Sequence, residues 1–216
     1  MTTPITPQEF HGADGVEDWR VLGNGACAHF RTQSFAKGVE LLGAIADLAD
    51  AANHHPDVDL RYRGLTVTLI THDAGGLSGR DLDLARSISA AARALEVPAD
   101  PSAVQDIHFT IDAHVGPDVM PFWRAVLGYQ QVGDEDLTDP HSRGPSIWFQ
   151  DMDPPRSDRN RIHFDVWVPH DQAAKRVAAA LAAGGRLVSD AHAPAWWTLA
   201  DAEGNEVDVA TWMGRS

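Results

Sequence analysis

Three of the chain's 11 histidines fall in one short pattern with carboxylates beside them, and imidazole is the side chain that titrates closest to neutrality. Asp50, His54, His55 and Pro56 close one helical stretch, Thr71 and His72 follow a strand, and Asp81 opens a further helix. Asp50 and His54 are four residues apart, which places them on one face of a helix end, and Pro56 forces the chain to turn there. His72 ends the strand leaving a hairpin, so a loop end can face a helix end across a cleft. Imidazoles gathered there could act as general acid and general base, an effect that typically contributes ~10²–10⁴-fold in rate. Structural roles fit the same residues. Two histidines at a helix C-terminus suit the dipole and the last carbonyls. Ser78-Gly79-Arg80-Asp81 reads as a capping box, which gives Asp81 the task of satisfying orphan amides.

The elements that position these residues follow from periodicity. Trp19 to Thr32 contains Gly23-Asn24-Gly25 between two runs of strand formers, a hairpin pattern. Ser34 is a candidate N-cap for a helix in which Phe35, Val39, Leu42, Ile45, Ala49 and Ala52 recur at helical spacing until Pro56. Leu60 to Thr71 alternates through Leu65, Val67 and Leu69 as a second hairpin with Gly64 near its turn, and helical periodicity runs from Ser78 to near Glu96. The order strand, strand, helix, strand, strand, helix predicts an α+β fold with an antiparallel sheet covered by helices. Pro98 and Pro101 interrupt the chain, which divides it into domains at 1–98 and 103–216.

The second half repeats itself. Ile107-His108-Phe109 recurs as Ile162-His163-Phe164, and each copy leads into a helix, Val119 to Leu127 and Gln172 to Ala183, followed by Gly128 or Gly184. Late strands follow at Ser146 to Gln150 and Asn205 to Trp212. Two such units are too few for a solenoid, so a pair of βαβββ modules is predicted. Of the clustered tryptophans, Trp123 reads as core, whereas Trp196 and Trp197 cannot both face inward on one strand.

The spacing of Asp50, His54-His55-Pro56, Tyr62, His72 and Asp81, with the stretch Thr71-His72-Asp73-Ala74-Gly75-Gly76-Leu77-Ser78, resembles the pterin-4a-carbinolamine dehydratase family over roughly Trp19 to Leu95. The family's members usually open with a longer helix than Thr6 to Asp18, with Gly12 and Gly15, would form. The resemblance implies a hydro-lyase that removes water from a 4a-hydroxytetrahydropterin, yielding a quinonoid dihydropterin, with no metal or organic cofactor. It implies His54 and His72 as the acid–base pair, His55 as a pterin-binding and proton-transferring residue, and Asp50 as the group that orients an imidazole. Pro56, Tyr62, Thr71 and Asp81 would join His55 in binding the substrate. It also implies a homo-oligomer, dimer or tetramer.

The stretches Pro121 to Gly128, Asn160 to Val166 and Leu199 to Glu206 resemble the glyoxalase/bleomycin-resistance/dioxygenase superfamily, also called vicinal oxygen chelate. Its paired modules form a cup, with or without metal. The matching ligand positions are His108, Gln150, His163 and Glu206, where Gln150 stands in place of the usual acid. Two histidines and a carboxylate could hold a divalent ion with positions open to substrate, although such residues at strand ends and turns are often plain hydrogen-bonded surface groups.

Composition narrows the partners. With 31 acidic and 17 basic residues, a net charge of -14 and no Lys/Arg-rich run, the chain is unsuited to a nucleic-acid backbone. No apolar stretch is long enough to span a bilayer, and a lone Cys27 suits a reducing compartment; the expectation is a cytoplasmic protein acting on a small molecule. Two other functions remain open: a metal-dependent lyase, isomerase or dioxygenase in the second half, and a non-catalytic pterin-binding or dimerisation module in the first.

Overall fold

The computed structural model describes residues 3–22, 25–104, 108–151, 164–168, 172–211 and 213. The chain divides into two compact units, Met1–Asp106 and Ile107–Ser216.

The first unit opens with a short helix α1 (Pro7–His11) and a sheet strand β1 (Arg20–Leu22), which pairs with β2 (Gly25–Phe30) in the register Leu22↔Gly25. The tip of that hairpin, Gly23 and Asn24, lies outside the described residues. Helix α2 (Phe35–Ala52) follows, then β3 (Asp57–Arg61), β4 (Gly64–Leu69) and helix α3 (Gly79–Ala94). The sheet order is β1-β2-β4-β3, antiparallel throughout. Alternation decides which face is covered: Ala26, Ala28 and Phe30 of β2 and Leu65, Val67 and Leu69 of β4 are buried, while Cys27, His29, Thr66 and Thr68 are half exposed on the other face. The buried face joins Trp19, Leu41, Ile45, Leu84 and Ile88 in one core, in which Trp19 Nε1–H donates to Ser89 Oγ at 3.0 Å.

Helix α2 starts where the sequence predicts, with Ser34 Oγ accepting from Lys37 N–H at 3.2 Å. Its buried face differs from the predicted stripe: Gly38, Leu41, Ile45 and Ala49 face the core, and Phe35 and Val39 are exposed. Gly38 allows this rotation, since a Cβ there would lie 2.4 Å from Leu60 Cδ1. The stretch around Pro98 and Pro101 is tied back to β2. Arg31 N–H donates to Pro98 O at 2.9 Å, Asp100 N–H donates to His29 O at 2.7 Å, and the Arg31 guanidinium pairs with the Asp100 carboxylate.

The second unit is β5 (His108–Ala113), α4 (Gly116–Leu127), β6 (Gln130–Val132), β7 (Asp136–Thr138) and β8 (Ser146–Asp151), then β9 (Phe164–Trp167), α5 (Ala173–Ala182), β10 (Arg186–Ser189), β11 (Trp196–Ala200) and β12 (Glu206–Ala210). It is the predicted βαβββ pattern twice. Each half makes one four-stranded sheet with its first and last strands parallel, β5-β8-β7-β6 and β9-β12-β11-β10. Gly128 and Gly184 follow the two helices with φ of 72° and 97°, a conformation glycine adopts without strain. Trp123 is buried and donates its Nε1–H to Asp201 Oδ2 at 2.9 Å; Trp197 packs on the core, and Trp196 stacks on His192 instead.

Candidate active site

The first unit brings two element ends onto one buried carboxylate. Helix α2 stops at Asn53, whose left-handed φ of 45° and ψ of 45° reverses the chain three residues before Pro56. Asparagine tolerates that region better than most side chains. His54 N–H then donates to Ala49 O at 3.1 Å, and the His54 ring turns inward, with only 7 % of its surface exposed. Its Nε2 lies 2.7 Å from Asp81 Oδ1. Asp50 meets the next imidazole along the chain: its Oδ1 lies 2.9 Å from His55 Nε2, both side chains being exposed. The left-handed turn carries residue 55, not 54, back over the last helical turn.

Asp81 sits on the third residue of α3, fully buried, and makes the predicted capping box with Ser78. Its Oδ2 accepts from Ser78 N–H at 2.7 Å, from Thr71 Oγ1–H at 2.6 Å and from Ser78 Oγ–H at 3.1 Å. Thr71 ends the chain leaving β4, and Thr71 N–H and O pair with Gly76 O and N–H to close a loop around the 3₁₀ turn His72–Ala74. His54 and Thr71 thus share one carboxylate, and His55 and His72 are their chain neighbours. An ionised carboxylate can only accept, so the His54 nitrogen facing it carries the hydrogen, and Nδ1 is the ring nitrogen left to take a proton.

The fold gives the remaining expected residues different places. His72 is exposed at the start of its 3₁₀ turn. Pro56, half-buried, immediately precedes β3. Tyr62 is 67 % exposed in the turn beyond β3. Five residues of strand, roughly 16 Å at ~3.3 Å each, separate it from the histidines, and its ring lies beside the Arg63 guanidinium instead. Within one chain it is not part of the cluster. Three residues at the site have parts that the motif reading did not assign. Ser78 does more than cap α3, Asn53 makes the reversal, and the Arg80 guanidinium donates to Asn53 O. An asparagine immediately before His-His-Pro at a helix end was the available signal for the second.

In the second unit the expected metal ligands fall only partly within the described residues. The parallel register pairs His108 with Ser146 and Asp112 with Gln150. Gln150 is therefore four residues further along the strand direction than His108, roughly 13 Å at ~3.3 Å per residue. His163 lies outside the described residues, and Glu206 is half-buried at the start of β12. Among the described residues no group of three or more His, Cys, Asp and Glu side chains could hold a metal. Nor, among them, is any helix long and apolar enough to cross a membrane.

Comparison with known proteins matches each unit to a different family model: residues 3–91 to the pterin 4 alpha carbinolamine dehydratase family, and residues 108–210 to a glyoxalase-like domain. A curated relative from Nocardia farcinica, named "Putative pterin-4-alpha-carbinolamine dehydratase", is 46% identical over 95 residues, which are 43% of this chain and 100% of the relative. A relative of the same name from Roseiflexus castenholzii is 47% identical over 70 residues, 32% of this chain and 75% of the relative. Among solved structures, a transcriptional coactivator/pterin dehydratase from Brucella melitensis is 25% identical over 42% of this chain and 99% of its own, with a TM-score of 0.40. A glyoxalase/bleomycin resistance protein/dioxygenase family enzyme from Burkholderia phytofirmans is 18% identical over 48% of this chain and 95% of its own, with a TM-score of 0.40.

Proposed function

We propose, because the chain belongs to the pterin-4-alpha-carbinolamine dehydratase family, that its first unit removes water from a 4a-hydroxytetrahydropterin. The observation that carries this reading is the buried 2.7 Å contact between His54 Nε2 and Asp81 Oδ1, which leaves His54 Nδ1 as a proton acceptor of fixed direction. Dehydration needs two proton movements. A base removes the proton from the ring nitrogen beside C4a while an acid protonates the 4a-hydroxyl; the C4a–O bond breaks, water leaves, and a C=N bond forms. In our reading His54 is the base. His72, exposed on the opposing loop, is the acid, and His55, tethered to Asp50, binds the pterin and exchanges protons with solvent. No step requires a metal.

The test is a stopped-flow measurement of 4a-hydroxytetrahydropterin dehydration by the full chain in the presence of a chelator, against a His54→Ala/His72→Ala double variant. Activity above the spontaneous rate that survives the chelator and disappears in the variant supports the reading. No activity in folded, intact protein, or activity abolished by the chelator alone, overturns it and moves attention to the second unit.

A further inference from the structure

Two hydroxyls beside His54 are committed within the fold, and their partners define a task beyond capping. The chain offers its own control, because it builds two capping boxes. In α1, Glu9 Oε2 accepts from Thr6 N–H at 2.7 Å and from Thr6 Oγ1–H at 2.9 Å, all exposed, and this suffices to start the helix. The box of α3 repeats those contacts and adds two groups a cap does not need: the hydroxyl of Thr71, seven residues before Ser78 and 1 % exposed, and the imidazole of His54.

The direction of the hydrogens follows from the donors. Ser78 Oγ accepts from Arg80 N–H at 3.2 Å and lies 2.7 Å from Thr71 Oγ1, while Thr71 gives its hydrogen to Asp81 Oδ2. With Ser78 N–H also on Oδ2, that oxygen is held from several sides. The carboxylate plane cannot turn, and Oδ1 is left facing His54. We propose that Thr71 and Ser78 are positioning residues, not substrate contacts: they lock Asp81, and through it hold His54 in the single tautomer that keeps Nδ1 free. This rests on the reading of His54 as the base of the dehydration, and it reassigns Thr71 from the substrate-binding role implied by resemblance.

The experiment uses the full chain labelled with ¹⁵N-histidine and compares Thr71→Val, which keeps the shape and removes the hydroxyl, with Thr71→Ser, which restores it. Three quantities are read: kcat and KM for dehydration, the His54 tautomer from long-range ¹H–¹⁵N spectra, and the melting temperature. Losing a hydrogen bond to a charged group corresponds to about ten- to a hundredfold. Thr71→Val is expected to lower kcat by that factor with KM little changed, and to turn His54 from one Nε2–H form into a mixture of tautomers. Thr71→Ser is expected to recover both. A Thr71→Val protein with the intact His54 spectrum, whatever its kcat, overturns the proposal, because a cap alone would change only the melting temperature. Should Thr71→Val fail to fold, Ser78→Ala, which keeps the backbone N–H on Oδ2, must show a smaller change in the same direction; an unchanged spectrum there also overturns it. If the intact protein does not dehydrate the pterin, the functional reading fails while the His54 spectra still decide the positioning.

Discussion

Replacing Asp81 with asparagine should invert the chemistry of His54 while keeping its place. The side chain retains its shape but exchanges one acceptor oxygen for an NH₂ donor. Ser78 N–H at 2.7 Å and Thr71 Oγ1–H at 2.6 Å both need an acceptor, so the amide oxygen stays on the capping side and the NH₂ faces His54. An NH₂ cannot accept. The imidazole must then offer Nε2 as the acceptor and carry its hydrogen on Nδ1, the nitrogen assigned to the substrate proton. The expected loss in kcat is that of a missing general base, ~10²–10⁴-fold, towards the upper end because a wrong tautomer held in sound geometry has that effect in serine proteases. Stability falls less. The helix N-terminus loses a compensating charge, about 0.3–1 kcal/mol, and charge-assisted hydrogen bonds become neutral ones, roughly 1 kcal/mol apiece, so urea denaturation should register about 2–4 kcal/mol in all. Asp81→Ala, which leaves His54, Thr71 and Ser78 donors buried without an acceptor, should cost more than Asp81→Asn in stability. The assay is stopped-flow dehydration on protein verified as folded, alongside the His54 ¹⁵N spectrum. A folded Asp81→Asn protein that turns over at the intact rate, or whose His54 keeps its hydrogen on Nε2, refutes the reasoning.

His72→Ala removes an exposed side chain, so kcat should fall by ~10²–10⁴ with the melting temperature nearly unchanged; retention of full dehydratase activity would remove His72 from the acid role. Gly185→Ala would place a Cβ 2.3 Å from Phe122 ring carbons and 2.9 Å from the Ala180 carbonyl oxygen, and overpacking of this kind costs about 1–3 kcal/mol; an unaltered urea midpoint would show that α5 and its glycine turn can move aside. Burial works to raise the Asp139 carboxyl, but the backbone N–H groups of His141, Arg143 and Gly144 outweigh it and hold it below its ordinary 3.8. Because the folded value is depressed, Asp139 contributes stability in full above that ordinary value and loses it as pH falls towards the folded one. Thermal melts of intact protein and Asp139→Asn should therefore differ by a constant amount at pH values well above 3.8 and by progressively less as the pH is lowered below it, and a difference that stays constant on acidification would contradict this.

What could be read from the sequence, and what could not, divides along the range of the forces involved. Ser34 and Ser78 as caps, the antiparallel sheet with two helices and the doubled βαβββ order all depend on local preference and period, which neighbouring residues carry. The rotation of α2 that exposes Phe35 and Val39 depends on Gly38 meeting Leu60, a contact between elements. At the candidate site, motif spacing singled out the histidines and carboxylates but left open which imidazole Asp50 meets; a single left-handed residue, Asn53, decides which side chain returns over the helix. The second unit shows the same boundary more sharply. His108 to Gln150 and His163 to Glu206 are separated by nearly equal numbers of residues, which suggested equivalent ligand pairs. Residue separation along a chain includes loops, whereas parallel strands align by register, and β8 aligns Ser146 with His108. Equal residue separation therefore does not by itself set His108 opposite Gln150; the backbone register sets Asp112 opposite it.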